Sequence, residues 1–169
     1  MAEPPRFRPD EILRVLERHQ VAYVLIGGLA ATLLGAPYPT ADVDITPATD
    51  RDNLGRLADA LRELDAKLRV EGVDELIDWP LDAHSFDQGT TWTFTTPMGD
   101  LDVCLRPDAT GGYPDLRRQA SSIPLTESLS VFVVSIDDII RSKQAVNRDK
   151  DRRVLPALRA LQERLSRNA

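Results

Sequence analysis

Val21-Ala22-Tyr23-Val24-Leu25-Ile26-Gly27-Gly28 and, 14 to 15 residues after the glycines, Asp42-Val43-Asp44-Ile45 decide how this sequence is read. Val21 to Ile26 is a short apolar run with β-branched residues, the pattern of a buried strand. Gly27-Gly28 interrupts it, and Leu29 to Leu34 reads as a short helix closed by Gly35. Asp42 to Ile45 alternates acid and apolar residues, which is strand period. Residues i and i+2 of a strand share a face, so Asp42 and Asp44 lie together, roughly 7 Å apart along the backbone. Val43 and Ile45 turn to the other face. Aspartate is depleted in strands. Two carboxylates ~5 Å apart repel by about 3 kcal/mol at an effective dielectric of ~20. A divalent cation removes that penalty, and oxygen donors with no histidine beside them suit magnesium or manganese. Taken alone, the pair also fits a solvated edge strand. Leu101-Asp102-Val103 changes the weight, because it repeats a carboxylate between apolar residues in a strand. Asp100 competes for the same role but is read in the turn after Gly99, so Asp102 is the chosen third acid. Cys104 shares the face of Asp102 and reads as packing beneath the site.

The rest of the chain follows outward. Pro9 and Asp10 open an amphipathic helix carried by Ile12, Leu13, Val15 and Leu16, ending near Gln20. Ala36 to Pro39 is a turn, and Pro47 ends the Asp42 strand. Asp50 to Leu68 is a helix with its stripe at Leu54, Leu57, Leu61 and Leu64. Val70 to Gln88 is ambiguous, with a short helix near Val73–Ile77. Thr90–Thr95 and Leu101–Leu105 form a hairpin around Pro97-Met98-Gly99-Asp100. Arg106 to Thr126 is loop-rich, with Gly111-Gly112 and Pro114. Ser130–Val134 is a strand. Ser135 caps a helix over Ile136–Val146, with Asp138 as its capping-box partner, and a last helix covers Asp151–Leu165. The expected class is α/β (α+β): a mixed central sheet with flanking helices and a helical C-terminal segment. The 169 residues are read as one domain, with a sheet-containing core at 1–135 and C-terminal helices at 136–169.

Composition bounds the function. Apolar residues are 42% and charged residues 28%, as in a soluble globular protein. No apolar run reaches the ~18–20 residues of a membrane span. The polar, Pro-rich start has no signal-peptide core. A single cysteine excludes an internal disulfide and a cysteine-rich zinc site. Together these favour the cytoplasm and no membrane partner. The net charge of −6 argues against broad nucleic-acid binding. It is unevenly spread, however. Ile136 to Ala169 holds nine Lys/Arg against five Asp/Glu, whereas Met1 to Ser135 holds 12 against 22. Lys143 stands at i+7 from Ile136, i+4 from Ile139 and i+3 from Ile140. It is thus in phase with a buried stripe, where a lysine either snorkels to the edge or meets an anion.

The combination of Ile26-Gly27-Gly28, Asp42-Val43-Asp44, a later strand with Asp102, and Thr40 two residues before Asp42 resembles the polymerase-β-type nucleotidyltransferase superfamily. The tail, with Ser135-Ile136-Asp137-Asp138, Lys143 and Arg148-Asp149-Lys150-Asp151, is similar to the AbiEii-like, toxin–antitoxin-associated branch. The resemblance spans Val21 to Leu161. It implies a nucleotidyltransferase fold, bound magnesium (or manganese) and a nucleoside triphosphate substrate. It places Asp42, Asp44 and Asp102 on the metal, and Gly27, Gly28 and Thr40 near the triphosphate. Lys143 then contacts the nucleotide phosphates as a catalytic residue, and Arg148 joins the nucleotide-binding set. Tyr38 departs from the pattern, since many relatives carry arginine there.

The resulting expectation is an enzyme that moves a nucleoside monophosphate from an NTP to a hydroxyl or phosphate acceptor and releases pyrophosphate. A tRNA or other RNA, a protein or a small molecule is the acceptor, and a cognate antitoxin is an expected partner. The alternative is a catalytically silent module of the same fold that engages a partner protein. A structural metal- or phosphate-binding protein is a third reading. His19, His84 and Asp87 are weaker candidates, and Trp79 and Trp92 read as core or rim. No Ser-His-Asp triad, P-loop or dinucleotide fingerprint is present.

Overall fold

A computed structural model describes residues 6–78 and 82–169; Trp79 lies outside them. The strands are β1 (Tyr23–Ile26), β2 (Asp42–Pro47), β3 (Lys67–Arg69), β4 (Thr91–Thr96), β5 (Gly99–Cys104), β6 (Ser121–Thr126) and β7 (Leu129–Val133). The helices are α1 (Pro9–Arg18), α2 (Gly27–Leu34), α3 (Arg51–Glu63), α4 (Tyr113–Gln119), α5 (Ile136–Val146) and α6 (Asp149–Arg167), with a 3₁₀ turn at Ala83–Gln88. The strands form one mixed sheet in the order β3-β4-β5-β2-β1-β7-β6. β2 runs parallel to β5 and antiparallel to β1, and β1 runs parallel to β7. This is the mixed α/β architecture that the sequence pattern predicts.

Alternation along the strands sorts the two faces. Val43 and Ile45 of β2, Leu101 and Val103 of β5, and Phe94 of β4 are fully buried. They join the apolar stripes of α1 (Ile12, Leu13, Leu16) and α3 (Leu57, Leu61) in one core. Each such side chain removed from water stabilises the fold by roughly 1.5–3 kcal/mol. Buried Asn53 ties this layer to the β1 entry: it accepts from Ala22 N at 2.7 Å and donates to the carbonyls of Ala22 and Ala48. Trp92 is buried edge-on against Phe86, at a ring separation of 5.2 Å, and is core. The intervening residues Asp42, Asp44, Asp100 and Asp102 occupy the opposite face, half-buried.

Several boundaries differ from the sequence reading, each for a local reason. α2 begins at Gly27 rather than Leu29. α3 stops at Glu63, because Asp65 takes a left-handed backbone (φ 51) that reverses the chain. Leu68 is then a strand residue. Val73–Ile77 is not helical: Ile77 exchanges two backbone hydrogen bonds of 2.9 Å with Leu68. The loop-rich stretch contains α4, which accommodates Pro114 in its first turn, and edge strand β6. The hairpin turn is shorter than expected, so Asp100 lies within β5 instead of in the turn. Ser135 caps α5 by accepting from Asp138 N, but the Asp138 carboxylate pairs with Arg141 at 2.9 Å instead of completing a capping box.

Candidate functional site

The register of β2 against β5 builds the site. Asp42 lies opposite Asp100, and Asp44 opposite Asp102. The parallel pairing puts all four carboxylates on one face, and their partners then decide which stay available. Arg69, reaching across from β3, pairs with Asp100 at 3.0 Å and bonds Thr95 Oγ1 at 2.8 Å. Asp100 is thereby engaged. Asp42, Asp44 and Asp102 each present an oxygen, and the three atoms lie within 4.8 Å of one another. Asp102 Oδ1 is buried without a hydrogen-bond partner. A buried carboxylate oxygen left unpaired is costly. An all-oxygen trio carrying one such atom suits a hard divalent cation, so the residues fit the metal that the resemblance implies. Electrostatics agrees. Burial pushes the Asp44 carboxyl up, reinforced by the charges of Asp42 and Asp102, to about 8; Lys143 opposes the shift. Burial and the Asp42 charge also raise Asp102.

Gly27 is fitted to this trio. A Cβ there would stand 2.2 Å from Asp44 Oδ2 and 2.7 Å from its Cγ, and the residue has φ +72. Both facts demand glycine, and for different reasons: the first is space, the second backbone conformation. Gly28 is less constrained, since a Cβ would meet Thr40 Oγ1 at 3.0 Å. Thr40 hydrogen-bonds the Asp42 backbone carbonyl at 3.3 Å and sits at the lip of the trio. The Gly-Gly turn, Thr40 and the Asp-x-Asp strand thus meet at one point, where the sequence reading puts them.

Lys143 and Arg148 come together through a residue outside the expected site set. Asp151, in the first turn of α6, is fully buried. It accepts from Lys143 Nζ at 3.1 Å, Arg148 Nε at 2.9 Å and Arg148 N at 3.1 Å. Burial alone would raise its carboxyl; the Arg148 and Lys143 hydrogen bonds outweigh that and hold it down at about 2. Lys143 is therefore a clamped ammonium facing Asp44. In the sequence Asp151 belongs to the Arg148-Asp149-Lys150-Asp151 run that carries the resemblance of the tail, but its local signal is an acid in a helix's first turn, which usually means a solvated end charge. Its burial depends on α6 folding back on α5 at Asn147, a left-handed residue (φ 52).

A cleft of about 290 Å³ opens beside the trio and reaches it at Asp44, with Gly27 next to that residue; Thr91, Cys104 and Arg106 line it as well, as do Lys143 and Arg148. Across Lys143 lies a smaller cavity of about 160 Å³, bounded by Gly27, Gly28, Tyr38, Lys143 and Lys150. Cys104 lines the cleft rather than packing beneath it. His19 lies 3.7 Å from Glu63, and Asp87 pairs with Arg51 at 2.9 Å beside His84. None of these three lines the cleft.

No protein-family model matches the sequence, and no curated protein sequence matches it. Solved structures do match in fold. The lincosamide antibiotic adenylyltransferase LnuA, in its lincomycin-bound structure, superposes with a TM-score of 0.60 at 16% identity, covering 90% of this chain and 95% of that one. TM1012 of Thermotoga maritima, an inferred nucleotidyltransferase, gives 0.54 at 17% identity over 93% and 96%. The antibiotic-resistance factor ANT(2'')-Ia gives 0.54 at 16% identity over 93% and 82%. The shared property at these identities is the fold, and this chain has the nucleotidyltransferase fold.

Proposed function

We propose that this chain is a metal-dependent nucleotidyltransferase that moves a nucleoside monophosphate from an NTP to an acceptor. The observation that carries the reading is the convergence of Asp42, Asp44 and Asp102 within 4.8 Å, directly under a glycine that tolerates no side chain. Those three residues would hold magnesium or manganese, which when bound polarises the phosphate and lowers the pKa of a coordinated hydroxyl. Gly27 keeps the space beside Asp44 open. Lys143, oriented by Asp151, places a fixed positive charge against the phosphates, and Arg148 adds a second. Gly28 and Thr40 border the same entry. Asp102 orients the acceptor hydroxyl and receives its proton. The acceptor oxygen bonds to the α-phosphorus as the bond to the β-phosphate breaks, and pyrophosphate leaves.

The test is incubation with α-labelled NTPs, magnesium, and total RNA, protein or small-molecule extract. Label should pass to one acceptor with release of pyrophosphate, and Asp44→Ala should abolish transfer; label that persists in that variant overturns the assignment. The resemblance of the tail, Lys143 with Arg148-Asp149-Lys150-Asp151, supports the AbiEii-like branch and, with it, a toxin paired with a cognate antitoxin and a tRNA or protein acceptor. The antibiotic-modifying fold neighbours favour a small hydroxylated acceptor instead. Ribonuclease or protease sensitivity of the labelled product separates these.

A further inference from the structure

The loop that brings Arg106, Pro107 and Asp108 to the larger cleft has little of its own to hold it there. It leaves the end of β5, and no residue from Arg106 to Gly111 is buried. Inside the loop, the Pro107 carbonyl accepts from Thr110 N at 3.1 Å and from Thr110 Oγ1 at 2.7 Å. Among the described residues, its one hydrogen bond to a residue beyond Gly112 runs from Gly111 N to Asp115 Oδ2, in the first turn of α4, at 2.9 Å. Arg106 makes no ion pair or hydrogen bond among the described residues, so its guanidinium is uncommitted on the cleft wall.

Asp115 is itself fixed from α5. Arg141 Nη2 stands 2.9 Å from the same Asp115 oxygen and 2.9 Å from Asp138 Oδ1. The Gly111 amide and the Arg141 guanidinium hold the Asp115 carboxyl below its ordinary range, so it is an anion at neutral pH. Asp138 is buried and lines the cleft. One guanidinium therefore joins the far end of the loop to the helix that carries Lys143. Residues two apart on a helix stand about 200° apart around its axis, so Lys143 turns to Asp151 while Arg141 turns to α4. A partly exposed ion pair of this kind adds little to global stability. Its effect is local: it sets the spacing between the Arg106 wall and the Lys143 wall.

We infer that Asp115 and Arg141 are positioning residues, which hold the Arg106 loop against the cleft so that a bound nucleotide is met from the Arg106 wall and the Lys143 wall at once. The inference rests on the nucleotidyltransferase reading and extends it. Arg106 supplies a charged contact to the ligand. Asp115 and Arg141 touch no ligand and act through Arg106.

Hydrogen exchange of the full chain, read by mass spectrometry, and calorimetric titration with the magnesium complexes of ATP, GTP, CTP and UTP test this together. Asp115→Ala removes the tether and leaves Asp138 paired with Arg141, so no buried charge is stranded. It should raise exchange across residues 106–112 by about tenfold or more and leave α1, α3 and β1 unchanged. It should also weaken the preferred NTP by about fivefold to twentyfold. Arg141→Lys should recover most of what Arg141→Ala loses. Arg106→Gln should cost a similar factor in the wild type but less than about twofold in the Asp115→Ala background, because a group that acts through Arg106 is not additive with it. Exchange at 106–112 equal to wild type in Asp115→Ala, or losses from Arg106→Gln and Asp115→Ala that simply add, overturns the inference while leaving the enzyme reading standing. If exchange rises throughout the Asp115→Ala chain, the variant is misfolded and Asp115→Asn, which keeps an acceptor for Gly111 N, is judged by the same two readings. A wild type that binds none of the four NTPs overturns the enzyme reading and the inference with it.

Discussion

Replacing Asp44 by asparagine should stabilise the metal-free protein while removing its response to divalent cations. The magnitude follows from the three-carboxylate geometry. Carboxylate oxygens within 4.8 Å repel by about 3 kcal/mol per charged pair at an effective dielectric of ~20. The fold avoids this by raising the Asp44 carboxyl, through burial and then the charges of Asp42 and Asp102, to about 8 from an ordinary 3.8. The unfolded chain ionises near 3.8, so between these values the folded state holds the extra proton and stability falls as pH rises. By linkage, the cost at pH 7 is at most about 4 kcal/mol; water reaching this half-buried group reduces it to about 2 kcal/mol. The neutral amide of the Asp44→Asn variant carries no such cost. For a chain of this size the gain corresponds to roughly 4–8 °C in Tm at pH 7, shrinking toward nothing by about pH 4–5. Thermal melts of both proteins from acid to mildly alkaline pH, repeated with millimolar magnesium or manganese, measure it. The cation should raise the wild-type Tm, and the variant should not respond. A variant less stable than wild type at neutral pH, or a difference that grows as pH falls, would refute the electrostatic argument.

Other substitutions probe neighbouring parts of the site. Gly27→Ala should cost about 2–4 kcal/mol, from a side chain driven into Asp44 and a non-glycine residue at positive φ; Gly28→Ala, which presses only on Thr40, should cost under about 1 kcal/mol, both read by denaturant unfolding. Asp102→Asn should weaken manganese binding, followed by electron paramagnetic resonance, by at least tenfold, whereas Asp100→Asn, whose native carboxylate already pairs with Arg69, should change it little. Asp151→Asn strips the buried charged partner from both Lys143 and Arg148 and should cost about 3–5 kcal/mol. Because its folded carboxyl is held at about 2, the stability Asp151 contributes is present above the unfolded value near 4 and is lost between about pH 4 and 2; acid unfolding of the wild type should show that loss, and the asparagine variant should lack it.

The parts of the molecule that were legible in the sequence are those in which local pattern and burial coincide. Asp42-Val43-Asp44-Ile45 alternates because one face is core and the other is the site, and period two reports both facts at once. The α5 start was legible because Ser135 caps it in the ordinary way. What escaped the sequence depends on distant contacts. β3 continues the apolar rhythm of α3, and only the left-handed Asp65, a residue that does not advertise such a backbone as glycine would, separates them. α4 and β6 were hidden by Gly111, Gly112, Pro114 and Pro124, whose turn signals outweigh a seven-residue helix and an edge strand. Asp100 and Asp102 have the same local pattern. Arg69, 31 residues before Asp100, decides between them by occupying one and leaving the other. Asp151 looks like an ordinary helix-end acid until α6 packs on α5 and buries it against Lys143.

The central claim is that Asp42, Asp44 and Asp102 form a divalent-cation site at the head of a nucleotide cleft. Anomalous diffraction from a crystal grown with manganese and a non-hydrolysable NTP analogue tests it most directly. The account predicts a manganese peak coordinated by one oxygen from each of the three aspartates, with the analogue's phosphates running past Gly27 toward Lys143. Manganese bound at Asp100 or elsewhere, with the three-aspartate site lacking metal while the analogue is bound, would contradict it.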